Sequence, residues 1–282
     1  MIKLSILIPA YNFKKGLKKI LSDFAKCNQS DLELIEILIG DDSEDRILDL
    51  EEINKYNKIF PNFKYIKNEE KPLIGNWNNL INKCQGEYYW LFHHDEELSC
   101  TKQSIKIIIE YLKKNYLILI LPLFKKTTFK FLNYGFKKIV KHTGTNKLMK
   151  YFICQSKLFI YINIIGPPTA LIISKKIKLL YSLNLKWLVD VEYYYRIFNK
   201  INLDKIILIQ DSEASIISNQ NYRASITKTK KLDKRLFNDL KNFEENKLKQ
   251  NINLKSINKL KIFIIWTFYK IYSLFNSRIY KI

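Results

Sequence analysis

A chain of 282 residues fits one large domain or one domain with an appendage, and 47% apolar against 27% charged residues excludes a largely disordered polypeptide. Its 48 Lys and Arg against 27 Asp and Glu leave a net charge of +21, which points to a polyanionic partner: nucleic acid, an anionic membrane surface or a phosphorylated substrate. Four scattered cysteines (Cys27, Cys84, Cys100 and Cys154) with no CxxC pair exclude a zinc knuckle or a disulfide framework.

In chain order, KLSILIPAY (3–11) is a β-branched apolar run closed by Pro9, the pattern of a fully buried strand. Residues 14–27 place Leu17, Ile20, Leu21 and Phe24 at helical spacing with lysines opposite. LELIEILIGDD (32–42) predicts a second buried strand ending in acids, 46–59 a helix, and FKYIKN (63–68) a third strand. GNWNNLINKCQ (75–85) suits a helix opening after Gly75, GEYYWLFHHD (86–95) a fourth strand, and 101–114 another helix. YLILILPLF (116–124) adds a strand, and GPPTALIISKK (166–176) a Gly-Pro-Pro turn with a further one. LKWLVDVEYYYRIFN (185–199) reads as a helix bearing Asp190, Glu192 and Arg196, and KIILIQD (205–211) as the last strand.

Buried strands alternating with helices in short units mean an α/β layered fold with a mostly parallel sheet. Ligands of such sheets bind beyond the carboxyl ends of the strands. Three of those ends read PAYN, GDDSED and HHDEE, so they belong on one rim as a single polar site. Within LFHHDEE (91–97) two histidines and three acids follow a buried strand. Acids so placed are costly unless a cation or strong donors meet them.

The charge is uneven. Residues 123–150 hold eight lysines and no acid, and residues 216–282 hold 12 Lys and 3 Arg against four acids, while the rest is close to neutral. The run Ile262–Phe275 is apolar and aromatic, broken by Lys270. It is too short to span a bilayer, and its flanking lysines suit an amphipathic helix lying on an anionic membrane; packing on its own core or on another subunit is the alternative. The N-terminus has too short an apolar run for a secretory leader. A cytoplasmic protein, peripheral on the inner face of the membrane, is expected.

SILIPAYN, GDDSED, N-x(6)-GNWNN-x(6)-GEYYWLFHHDEE and VDVEYYYR, in this order and spacing, resemble glycosyltransferase family 2, the inverting GT-A enzymes that transfer a sugar from a nucleotide-sugar donor. The resemblance covers residues 3–100 and, more loosely, 160–220. It implies a GT-A (Rossmann-like) fold, a mostly parallel central sheet flanked by helices. The catalytic domain would fill 1–215, with a donor half (1–100), an acceptor half (101–215) and a basic insert (123–150), before a basic helical extension (216–282).

By that resemblance Pro9, Ala10, Tyr11, Asp41 and Asp42 hold the nucleotide, UDP by default, with Asn78 nearby. The family's DxD motif falls on His93-His94-Asp95, and its divalent cation bridges the donor diphosphate. The general base falls on Asp190, with Glu192 as its neighbour. Two departures stand out: His93 replaces the first acid, leaving Asp95 and His93 as metal contacts with His94 beside the diphosphate, and Trp77 replaces a basic residue before Asn78. Imidazole suits Mn²⁺ better than Mg²⁺. The acceptor implied by the charge is a glycan or lipid-linked saccharide of a bacterial surface glycoconjugate, and oligomerisation through the C-terminal helix is an option.

Simpler readings stand beside these. Asp41–Asp42 would cap the next helix, HHDEE would be a solvated loop, and Arg196 would pair with Glu192 at i,i+4. A nucleic-acid binder fits +21, but no helix-turn-helix, RNP-like or zinc signature accompanies the charge. A GT-A domain that binds nucleotide sugar without turnover is the remaining alternative, prompted by His93.

Overall fold

The structure is a computed structural model that describes residues 1–69, 74–94, 96–131, 134–141, 153, 163, 165–185 and 188–218, with backbone alone for 125–131, 134–141, 212 and 218. Asp95, residues 132–133 and 142–150 of the basic insert, and the extension from 219 onward lie outside the described residues. The chain divides into two compact units, one of Met1–Leu123, Gly166–Tyr181 and Ile201–Asn219, the other of Phe124–Ile165, Ser182–Lys200 and Gln220–Ile282.

The first unit is built on β1 (Leu4–Ala10), which pairs in parallel with β2 (Ile35–Asp41) and with β4 (Tyr88–Leu91). β3 (Phe63–Lys67) extends the parallel run beside β2. All seven residues of β1 and all seven of β2 are buried, which is why neither shows polar alternation: both faces are covered. On the other side β9 (Leu171–Ser174) lies antiparallel to both β4 and β6 (Ile118–Ile120), and β10 (Ile206–Leu208) pairs in parallel with β6. The sheet order is β10-β6-β9-β4-β1-β2-β3. It is the mostly parallel α/β sheet that the sequence predicts.

Helices cover the sheet. α1 (Lys14–Phe24) buries Leu17, Ile20, Leu21 and Phe24, the predicted stripe. Each such side chain contributes roughly 1.5–3 kcal/mol by leaving water. α2 (Gln29–Leu32) is a single turn that no sequence period announces. α3 (Leu50–Ile59) starts four residues later than periodicity suggests because Asp49 and Glu52 form a reciprocal capping box. α4 (Ile74–Lys83) and α5 (Thr101–Leu112) follow the sequence reading.

The far end of the sheet is tied by a buried polar cluster. The Ser5 hydroxyl donates to Glu36, whose carboxylate also accepts the Gln85 N–H at 2.8 Å, and the Gly86 N–H donates to the Ser5 oxygen at 2.8 Å. Both side chains are under 5% exposed, so these bonds are what makes their burial tolerable.

The fourth strand is shorter than predicted: it ends at Leu91, and a separate β5 (Glu96–Leu98) pairs antiparallel with β11 (Ile216–Ser218). In the second unit the lysine-rich insert carries an antiparallel hairpin, β7 (Leu123–Phe131) with β8 (Tyr134–Lys141). That unit also contains α6 (Val189–Phe198), which buries Val189, Val191, Tyr193, Tyr194, Tyr195, Ile197 and Phe198.

Candidate functional site

Because β1, β2 and β4 are parallel, their carboxyl ends share one edge; Ala10 lies opposite Asp41 and Leu7 opposite Leu91. The three polar strand ends of the sequence therefore meet. The loop after β1 turns through Asn12, whose φ of 49° is a left-handed conformation that asparagine tolerates. The Asn12 N–H donates to the Ser43 hydroxyl at 2.8 Å, and the Asp42 N–H donates to the Ala10 carbonyl at 3.0 Å. Tyr11 is 47% exposed on this edge.

Asp41 has no exposed surface. One carboxylate oxygen accepts the Ser43 N–H at 2.9 Å; the other accepts the Ile47 N–H at 3.0 Å and the Tyr65 hydroxyl. Burial pushes its pKa up, but the Ser43 and Tyr65 hydroxyls with the N–H groups of Ile47 and Ser43 outweigh that and hold it below the usual value. Asp41 is thus the keystone of the 43–47 loop. Asp42 accepts from the Asn68 amide at 2.7 Å, and the cap of the next helix is Asp49 rather than either acid of this pair.

The two histidines diverge. His93 donates its backbone N–H to the Thr169 hydroxyl at 3.0 Å, and its ring lies 5.2 Å from that of Trp77, which meets Tyr181 edge-on. His94 turns toward the β1 loop: its ring is 5.4 Å from that of Phe13, and its Nδ1 is 3.1 Å from the Pro9 carbonyl. A carbonyl has no hydrogen to give, so Nδ1–H is the donor. In the neutral ring Nε2 is then the acceptor, the arrangement typical of a metal-ligating histidine.

Two glycines make this closeness attainable. A Cβ on Gly16 would sit 2.7 Å from the His94 carbonyl oxygen and clash with the Phe13 ring. A Cβ on Gly40 would fall 2.1 Å from Asn76 Oδ1, where the Asn76 amide donates to the Gly40 carbonyl at 2.9 Å. Asn78 spends its side chain on structure: its amide donates to the Tyr181 carbonyl at 2.9 Å and its oxygen accepts the Tyr181 N–H at 2.8 Å.

The chemistry of the donor set is compatible with a divalent cation through His94, although among the described residues no three His, Cys, Asp or Glu side chains gather as a metal cluster. Asp95, the carboxylate of the motif, lies outside the described residues. Glu97 is engaged by Lys19 at 3.3 Å.

In the second unit, Asp190 occupies the first turn of α6. Its carboxylate accepts the Val191 N–H at 2.9 Å and the Asn163 amide at 2.8 Å. Burial pushes its pKa up to about 6 against those hydrogen bonds. Glu192 differs: Arg196 grips both its oxygens, at 2.6 and 2.9 Å, the i,i+4 pairing weighed from the sequence. Asp190 is held by neutral donors, whereas Glu192 is committed to Arg196.

Sequence reasoning passed over Tyr65, Asn68, Thr169 and Asn163. Asn68 directly follows the third strand of a parallel sheet, a place that itself marks it, whereas Tyr65 sits at that strand's middle. Thr169 and Asn163 had no such signal; they reach the site residues only through folding.

The family model described as Glycosyl transferase family 2 matches residues 5–180. Among solved structures, Staphylococcus aureus TarS 1–349 is similar at 19% identity and a TM-score of 0.57, over 77% of this chain and 60% of that one. The same protein in complex with UDP-GlcNAc gives 18% identity and a TM-score of 0.60, over 81% of this chain and 61% of that one. The mannosyltransferase PcManGT from Pyrobaculum calidifontis, in complex with GDP-Man and Mn²⁺, gives 10% identity and a TM-score of 0.57, over 96% of this chain and 69% of that one. The likeness is one of fold, and the chain spans about 60% of the TarS 1–349 length. No curated protein matches the sequence significantly.

Proposed function

Because the chain belongs to glycosyl transferase family 2, we propose that it moves a sugar, with inversion, from a nucleotide-sugar donor to a glycan or lipid-linked saccharide. UDP is the default nucleotide, and the sugar a hexose or N-acetylhexosamine. The observation that carries this reading is the meeting of the PAYN, GDDSED and HHDEE strand ends on one sheet edge, bound together by Asn12–Ser43, Asp42–Ala10 and His94–Pro9 contacts.

On this reading the base and ribose lie along Pro9, Ala10, Tyr11 and the 41–47 loop. The role of Asp41 is indirect, since its oxygens are committed to shaping that loop; Asp42 and Tyr11 make the approach. Asp95 with the His94 imidazole would hold the cation, while the His93 ring lies against Trp77. When bound, a divalent cation neutralises the charge on the departing diphosphate. Asp190 takes the proton of the acceptor hydroxyl. The acceptor oxygen bonds the anomeric carbon from the face opposite the diphosphate, and the nucleoside diphosphate leaves with the electron pair of the broken bond. The basic insert and extension hold the protein on the anionic cytoplasmic leaflet, where a lipid-linked acceptor is presented.

The test is a thermal-shift panel of nucleotide sugars and nucleoside diphosphates with Mn²⁺, Mg²⁺ or EDTA, on wild type and Asp95→Ala. A ligand that binds only the native state raises Tm by mass action, about 2.7 kcal/mol at a hundredfold excess over Kd. Stabilisation by one nucleotide only with metal, lost in Asp95→Ala, is the expected outcome. Binding that persists with no turnover under either metal would identify a nucleotide-sugar-binding domain instead, and no shift with any ligand would overturn the reading.

A further inference from the structure

We propose that Asn163 is a positioning residue for Asp190, holding the carboxylate ionised and in one orientation; this rests on the reading of Asp190 as the general base. Asn163 is 27 residues away in sequence, within the apolar stretch FIYINII, and is half-buried. Its amide Nδ2 donates to Asp190 Oδ2 at 2.8 Å, while the Val191 N–H donates to Oδ1 at 2.9 Å. The carboxylate is thus pinned at both oxygens, one bond from its own helix and one from a separate segment. Each oxygen keeps a second lone pair with which to accept a proton.

A base in an enclosed site faces a conflict. Enclosure favours the neutral acid, which cannot accept a proton, and a freely turning carboxyl loses the alignment that proton transfer needs. A neutral amide donor answers both. It favours the charged form by hydrogen bonding, and it adds no charge that would repel or capture the acceptor. The groups acting on Asp190, in order, are burial, the Val191 N–H, its own N–H and the Asn163 amide. On the same helix Glu192 and Arg196 are bound to each other, and the Arg196 guanidinium lies over the Tyr193 ring at 5.6 Å. Asn163 is the side-chain donor that a substitution can remove without touching α6.

The experiment follows the Asp190 carboxyl carbon by ¹³C NMR in the full-length protein with ¹³Cγ-labelled aspartate, assigned by its loss in Asp190→Asn. Asn163→Ala and the near-isosteric Asn163→Leu are compared with wild type, with Tm confirming that each is folded. Asp190 should titrate about one pH unit higher in both variants, the tenfold change that follows from losing one hydrogen bond to a charged group. Release of nucleoside diphosphate from the donor found by thermal shift should show its acid limb moved upward by the same amount. Rates should converge with wild type at high pH, and donor KM should be unchanged. A purely structural role would lower activity at every pH alike. An Asp190 titration that superposes on wild type in a folded variant overturns the coupling. Undiminished release by Asp190→Asn overturns the base assignment instead, and with it the catalytic meaning of the contact.

Discussion

Asp41 shows how far the chemistry of one residue depends on where its donors come from. A carboxylate with no exposed surface survives only because the Ser43 and Ile47 N–H groups and the Tyr65 hydroxyl meet it. Tyr65→Phe removes one of these and should cost about 1–2 kcal/mol at pH 7 by urea denaturation. The pH dependence has a definite sign. Its folded pKa lies below its unfolded value near about 4, so its contribution is present above that value and fades as pH falls through the folded one. The gap between wild type and Tyr65→Phe should therefore close as the solution is acidified; a gap constant down to pH 3 would mean that the Tyr65 bond does not favour the charged form. From the sequence, GDD at a strand end marked Asp41 as polar-site material. That the carboxylate faces inward to its own loop was not legible, because the deciding donor sits 24 residues away on β3. Asn78 failed to declare itself for the same reason: its partner is Tyr181, 103 residues on.

Among the elements, α3 is fixed at its start by local chemistry. The Asp49 side chain accepts the Glu52 N–H at 2.8 Å, and Glu52 accepts the Asp49 N–H at 3.1 Å. Asp49→Ala should cost about 1 kcal/mol, read as a shift in the urea midpoint at constant m-value. Lys14 and Lys18 of α1 also reach Glu52, but they are solvent-facing, so Lys14→Met should leave the midpoint nearly unmoved. Equal effects from both would show that the cross-helix ion pairs, rather than the cap, set this end. The capping pair stands in the sequence as D-x-x-E, although the expected start of the helix was 46. Strands buried on both faces, β1 and β2, were legible because nothing but a two-sided core explains such runs. The β7–β8 hairpin was not, since eight lysines across 123–150 drown any alternation. The insertion of β9 between β4 and β6 was hidden as well. Its sequence announces a strand, but the choice of neighbours and of antiparallel direction is made by tertiary pairing.

Over the whole sequence, the charge is concentrated in two strongly basic segments, and the remainder is close to neutral. Residues 216–282 carry 12 Lys and 3 Arg against four acids, and Ile262–Phe275 adds an aromatic, apolar run. Among the described residues no helix is long and apolar enough to cross a membrane. A basic segment near an anionic bilayer gains about 1 kcal/mol per Lys or Arg at the surface, and an apolar helix face adds burial at the headgroup boundary. Together they hold a protein where neither alone would. Truncation after residue 250 removes the aromatic run and part of the charge. It should sharply lower sedimentation with phosphatidylglycerol vesicles while leaving the nucleotide thermal shift intact. Binding of the full chain should weaken as salt rises and the Debye length shortens from about 10 Å at 0.1 M to 3 Å at 1 M. Vesicle binding that survives the truncation would move the membrane contact to the basic insert. Salt-steep binding to duplex DNA, with neither vesicles nor nucleotide sugars bound, would return +21 to its other meaning, a nucleic-acid partner. Charge alone does not choose between these polyanions. The pairing of that charge with an apolar aromatic run suits the headgroup boundary of a bilayer, while aromatic stacking on unpaired bases is what a nucleic-acid partner would offer. The vesicle and nucleic-acid arms of the experiment separate the two.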